Sequence, residues 1–203
     1  LYGVDIGESA IEYGKTNFPL LNLSVAAAEK LPFEKQSFDI VCFFDVLEHV
    51  EDPYLCITEA CRVLKQGGLI HAYVPCEGEI FTLHGILNKF GINLKKTTAG
   101  HIQTLRKDEL IRMFRDCSIT VTDSKWSCHL LNQIGDLAYY SFLHLSGRRL
   151  ESSLEGTVEK KTNILLKLFI YCLKSVVSLI WYLESRLLWF WIGSGVHITG
   201  VKR

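Results

Sequence analysis

Apolar positions along this chain fall into short runs separated by helical stripes, a pattern that predicts repeated β-α units. Residues 38–44 form an apolar run interrupted only by Asp39, as expected of a strand covered on both faces in a parallel sheet. Asp45 stands at its end, Leu47-Glu48-His49 makes a polar turn, and Asp52-Pro53 opens a helix, with Asp as N-cap and Pro at the first helical position. Ile57, Ala60, Cys61 and Leu64 recur at helical spacing and form its core-facing stripe. Lys65 and Gly67-Gly68 read as the end of that helix, and 69–74 as the next strand. Upstream, the pattern predicts a strand at 1–6, a helix at 8–17 with Ile11 and Tyr13 as packing residues, and a strand at 20–25. Downstream it predicts a helix from about residue 105 with Ile111 and Phe114 on its apolar face, a strand at 119–126, and a last strand at 196–203 after the break Gly193-Ser194-Gly195.

The stretch 139–192 breaks this rhythm. Lys160, Asn163, Lys167, Tyr171, Lys174, Ser178, Tyr182 and Ser185 are three or four apart, one narrow polar stripe on an otherwise apolar helix. Only nine uncharged residues separate Lys174 from Glu184, so a bilayer span of about 20 apolar residues is disfavoured. Five basic residues against two acidic ones between Gly156 and Ile192, with several Trp and Tyr, suit peripheral contact with a lipid interface through 160–191. The competing expectation is packing on the domain itself or on a second copy, as a homodimer. The domain expectation is a core at 1–138, a hydrophobic helical insertion at 139–192 and a final core strand at 193–203.

Composition narrows the classes. The chain has 203 residues, 48% of them hydrophobic, enough for a full core and an appendage. Lys plus Arg and Asp plus Glu both number 22, which gives no charge excess for a nucleic-acid partner. The seven cysteines lack the paired spacing of a zinc site and read as small buried apolar residues in a reducing compartment, with no metal expected. No signal-peptide pattern opens the chain; the expected location is the cytoplasm, with peripheral membrane contact as a variant.

Leu31-Pro32-Phe33, Ser37-Phe38-Asp39, Leu47-Glu48-His49-Val50, Asp52-Pro53, Glu59, Arg62-Val63-Leu64 and Gly67-Gly68 come in an order and spacing that resembles the class I S-adenosylmethionine-dependent methyltransferases. The likeness is to those of ubiquinone biosynthesis and related small-molecule methylation. It covers residues 1–125 and returns at the last strand. It implies a three-layer α/β Rossmann-like fold with a mainly parallel sheet and an antiparallel last strand. Under it, the first strand and its glycine-rich turn are missing, which makes the chain a fragment of a longer protein or a truncated paralogue.

The resemblance also implies a site. S-adenosylmethionine is the expected cofactor, with the Asp5 carboxylate on the ribose hydroxyls, Ile6 beside it, Ala28 and Glu29 at the adenine, and Asp45 near cofactor or substrate. Family members usually carry an aspartate for the adenine amino group where this chain has Ala27. His49 leads as the base for an oxygen nucleophile and His101 is second, each weighed against a structural role. The implied reaction is methyl transfer, most simply to oxygen, on a small lipophilic acceptor. A glycan or sugar nucleotide is the alternative acceptor, and a non-catalytic scaffold or membrane-associated binding protein is the alternative class.

Overall fold

The computed structural model describes residues 1–145, 164–188 and 190–203. These form two compact units, one of Leu1–Pro75, Leu105–Ser124 and His197–Arg203, the other of Cys76–Thr104 and Lys125–Val196. The first unit carries the β-α pattern. β1 (Tyr2–Asp5) leads through α1 (Glu8–Asn17) to β2 (Asn22–Val25), and the two strands pair in parallel. β3 (Phe38–Phe44) leads through α2 (Pro53–Val63) to β4 (Leu64–Pro75), again in parallel. Along the chain follow α3 (Leu83–Lys89), α4 (Leu94–Thr98), α5 (Lys107–Asp116), β5 (Ile119–Ser127), α6 (Leu130–Leu145), α7 (Ile164–Leu187) and β6 (Gly195–Lys202).

The strands form two sheets, β1-β2 and β3-β4-β6-β5. β6 runs against β4: the Cys76 N–H donates to the Ser194 carbonyl at one end, whereas Lys202 at the other end of β6 reaches the start of β4. The sheets are therefore mainly parallel with an antiparallel last strand, as expected. The core of the first unit is built from α2, α5 and the larger sheet, with Leu47, Ile57, Ile70, Leu110, Phe114 and Ile198 fully buried. Phe43 of β3 stacks on Phe114 of α5 with ring centroids 6.4 Å apart.

Several boundaries differ from the pattern. α2 starts as expected, with the Asp52 side chain accepting from the Leu55 N–H at 3.0 Å. It ends at Val63, earlier than the Gly67-Gly68 stop, and its last carbonyls are met from elsewhere: the Lys202 ammonium donates to Cys61 and Leu64 carbonyls at 2.7 and 2.8 Å. Lys65 instead pairs with Asp39 at 2.8 Å, and Gly67 takes its positive φ of 75° within β4, where the register with β3 shifts. β3 is not covered on both faces. It is an edge of its sheet, and Ile40 and Phe44 remain 59% and 54% exposed. Tyr13 is likewise exposed, while Ile11 alone packs α1. β2 begins at Asn22, two residues late, since Leu20 and Leu21 form a turn.

No disulfide joins the seven cysteines. Cys56, Cys61, Cys76 and Cys117 are buried as expected, but Cys42 and Cys172 are exposed. The stripe residues Lys160 and Asn163 lie outside the described residues, as do 146–163 generally and Trp189. Among the described residues, no helix is long and apolar enough to cross a membrane.

Candidate active site

In open α/β sheets, ligands are met at the carboxyl ends of parallel strands. Asp5 ends β1, and its carboxylate is fixed by the turn into α1: Oδ1 accepts the Gly7 N–H at 2.7 Å. One oxygen is engaged with the backbone, and the exposed carboxylate keeps further acceptor capacity. The Asp5 carbonyl accepts the Ala26 N–H at 3.0 Å, which holds the 26–29 turn after β2 beside the end of β1. Asp5, Ile6, Ala28 and Glu29 thus gather at one edge. Ile6 is 77% exposed there, an apolar surface next to a carboxylate.

The turn that carries Ala28 and Glu29 is anchored from behind. Arg62 donates to the carbonyls of Phe33 and Leu31 at 2.8 and 3.1 Å, and forms a two-pronged pair with Glu59 at 2.7 and 2.9 Å. Glu59 in turn accepts the Leu31 N–H at 2.9 Å. The hydrogen bonds to Arg62 hold the Glu59 carboxyl below its ordinary pKa, against the opposing effect of burial. Leu31-Pro32-Phe33, Glu59 and Arg62 therefore occur together because α2 clamps the loop.

Asp45 ends β3 with a φ of 52°, a left-handed conformation unusual for a non-glycine residue, and its N–H donates to the Tyr73 carbonyl. The turn that follows buries Leu47 and Glu48 and leaves His49 partly exposed. The His49 Nε2 lies 3.9 Å from Glu48 Oε1. Asp5, Ile6, Ala28, Glu29, Asp45 and His49 all belong to the first unit.

His101 belongs to the second unit, where a buried ionic cluster surrounds it. Its Nδ1 lies 2.7 Å from Glu77 Oε1, and both side chains are buried. Lys95 reaches Glu77 at 3.4 Å and Asp136 at 3.2 Å, with its ammonium 5.3 Å from the centre of the Tyr140 ring. His84 Nε2 lies 3.8 Å from Asp136. Burial pushes the Glu77 carboxyl up, but the His101 hydrogen bond and the Lys95 charge outweigh it, so Glu77 titrates below its ordinary value. Asp136 is lowered in the same way by His84 and Lys95, and the two carboxylates raise Lys95 despite its burial. With Glu77 ionised, the His101 Nδ1–H is the donor in their bond. That is the carboxylate-histidine arrangement that orients an imidazole for proton transfer.

Sequence reasoning found His101 but missed Glu77, Lys95 and Asp136. Asp136 carried a signal, as the sole charged residue in α6. Glu77 and Lys95 stand in polar, irregular surroundings and carried none.

A family profile described as a methyltransferase domain matches residues 1–72. Over 72 residues the chain is 32% identical to a probable S-adenosylmethionine-dependent methyltransferase of Mycobacterium tuberculosis, covering 36% of this chain and 26% of that protein. It is 26% identical over 143 residues to a ubiquinone biosynthesis O-methyltransferase of Neisseria meningitidis, covering 64% of this chain and 59% of the relative. The fold matches that of geranyl diphosphate methyltransferase, solved in complex with S-adenosylmethionine, with a TM-score of 0.53 at 17% identity, over 100% of this chain and 68% of that one. The chain thus spans between a quarter and two thirds of the length of the curated relatives it matches. Residues 1–72 thus match a methyltransferase domain, and the chain shares the α/β fold of a methyltransferase solved with S-adenosylmethionine.

Proposed function

We propose that this protein catalyses methyl transfer from S-adenosylmethionine to an oxygen of a small lipophilic molecule. The observation that carries the reading is the edge made by Asp5, Ile6 and residues 26–29 inside the matched segment. The exposed Asp5 carboxylate suits a vicinal diol, and Ile6 suits an apolar ring or sugar face, so the residues present fit the nucleoside half of the cofactor. Ala28 and Glu29 border the adenine position, and Asp45 borders the reacting end. When bound, the cofactor supplies an electrophilic methyl group on a sulfonium.

The chain's own part is to align an acceptor and manage its proton. His49, in the same unit as the Asp5 edge and Asp45, is the candidate base for the acceptor hydroxyl's proton. His101, oriented by Glu77 within the second unit, is the alternative candidate for a base. Oxygen as the acceptor atom and a lipophilic acceptor accord with one of the matched relatives, a ubiquinone biosynthesis O-methyltransferase.

Ala27 favours a second reading, in which the domain is a non-catalytic scaffold, because it offers the adenine no side-chain acceptor. Calorimetry with S-adenosylhomocysteine separates the two: binding that Asp5→Ala abolishes supports the enzyme, and no binding to the full chain supports the scaffold. Transfer of a labelled methyl group is then measured on a prenylated catechol, a water-soluble catechol and a sugar nucleotide. Preference for the prenylated compound supports the proposal; preference for the sugar nucleotide replaces it.

A further inference from the structure

α7 has little of its surface covered. One stripe is turned to α6: the Trp181 ring sits against Gly135, and the Glu184 carboxylate accepts the N–H groups of Leu131 and Asn132 at 2.8 and 3.4 Å. At 3.6 residues per turn, Leu173, Val176, Leu179, Ile180, Leu183 and Leu187 fall on a separate arc of about 120°. They are between 45% and 73% exposed. A continuous apolar arc of this kind is uncommon on a surface that meets only water.

The charges around the arc indicate what covers it. Of the two carboxylates on α6 and α7, Asp136 is paired with Lys95 and Glu184 holds the first turn of α6, so both are engaged within the unit. Of the exposed charges described on α7, Lys174 falls on the side of Trp181, and Arg186 borders the arc beside Leu179. The outward face is therefore apolar with a basic margin. Leu173, Val176, Ile180, Leu183 and Leu187 have the 3-4 spacing of a coiled-coil seam, but exposed Cys172 and Leu179 widen it with apolar residues at positions where a self-pairing helix usually carries charges. Phe190 and Trp191, just beyond the helix and 63% exposed, are aromatic groups of the kind that settle at a bilayer interface.

We propose that α7 lies along the surface of an anionic lipid bilayer, its apolar arc at the acyl boundary and Arg186 at the headgroup phosphates. The inference goes beyond methyl transfer and is tested without it. The full chain is floated with vesicles of phosphatidylcholine alone and of phosphatidylcholine mixed equally with phosphatidylglycerol. The expected result is flotation with the mixed vesicles, weaker flotation with neutral ones, and loss of the difference at high salt. V176E combined with L183E, both at exposed positions, should lower the partition coefficient about tenfold or more while leaving circular dichroism and S-adenosylhomocysteine binding unchanged. R186E should remove the preference for the anionic mixture. Equal flotation with both vesicle types, or a double variant that floats like the parent, overturns the proposal. So does a parent dimer, measured by light scattering, that the double variant converts to monomer with no vesicle binding in either. In that case a second copy covers the arc.

Discussion

Asp5 accepts a backbone N–H from the turn that follows it, and this bond fixes the carboxylate before any ligand arrives. A pre-aimed acceptor loses little freedom on binding, so Asp5→Ala should weaken S-adenosylhomocysteine binding by about tenfold or more, read by calorimetry. Ala27→Asp should do the opposite, tightening binding about fivefold by giving the adenine amine a carboxylate partner. For the proton, H49N should lower kcat about a hundredfold with KM little changed, while H101N should leave kcat within a few-fold. The reverse ranking would move the base to His101. The strand-end positions of Asp5 and Asp45 were legible in the sequence because each closes an apolar run, a local property. The Glu77-His101-Lys95-Asp136 cluster was not, because its members come from three separate segments and only the fold brings them together.

At the scale of elements, beginnings were easier to read than ends. The start of α2 is local, Asp52 capping Leu55 three residues on, and Asp52→Ala should cost about 1 kcal/mol in urea unfolding. The last carbonyls of α2 are met by Lys202, the next-to-last residue of the chain, and by the Gln36 and Ser37 N–H groups, which no pattern within the helix could announce. Lys202→Met removes the donor from the Cys61 and Leu64 carbonyls and should cost about 2 kcal/mol by the same measurement. β3 was misread for a related reason. Its composition is that of an interior strand, but among the described residues it is a sheet edge paired with β4, and the layers packed on the sheet leave Ile40 and Phe44 on one face exposed, which no local pattern announces.

At the scale of the whole molecule, the buried carboxylates couple stability to pH. Glu77 and Asp136 titrate below their ordinary values of 4.5 and 3.8 in the folded protein. Their contribution is complete above those ordinary values and is lost as pH falls through the lower folded ones. The thermal midpoint should hold near neutrality and drop as the pH is lowered past about 4.5, and E77Q should make that acid slope shallower. A slope unchanged by E77Q would assign acid sensitivity to other carboxylates. The seat of α7 on α6 has an optical consequence. A side chain at Gly135 would come within 3.0 Å of the Trp181 ring, so this indole is pressed against backbone; the other tryptophans of the chain are Trp126, Trp189 and Trp191. With those three changed to Phe, the emission of Trp181 becomes a built-in fluorescence gauge. A red shift would mark α7 lifting away from α6, a blue shift its indole moving into a drier setting.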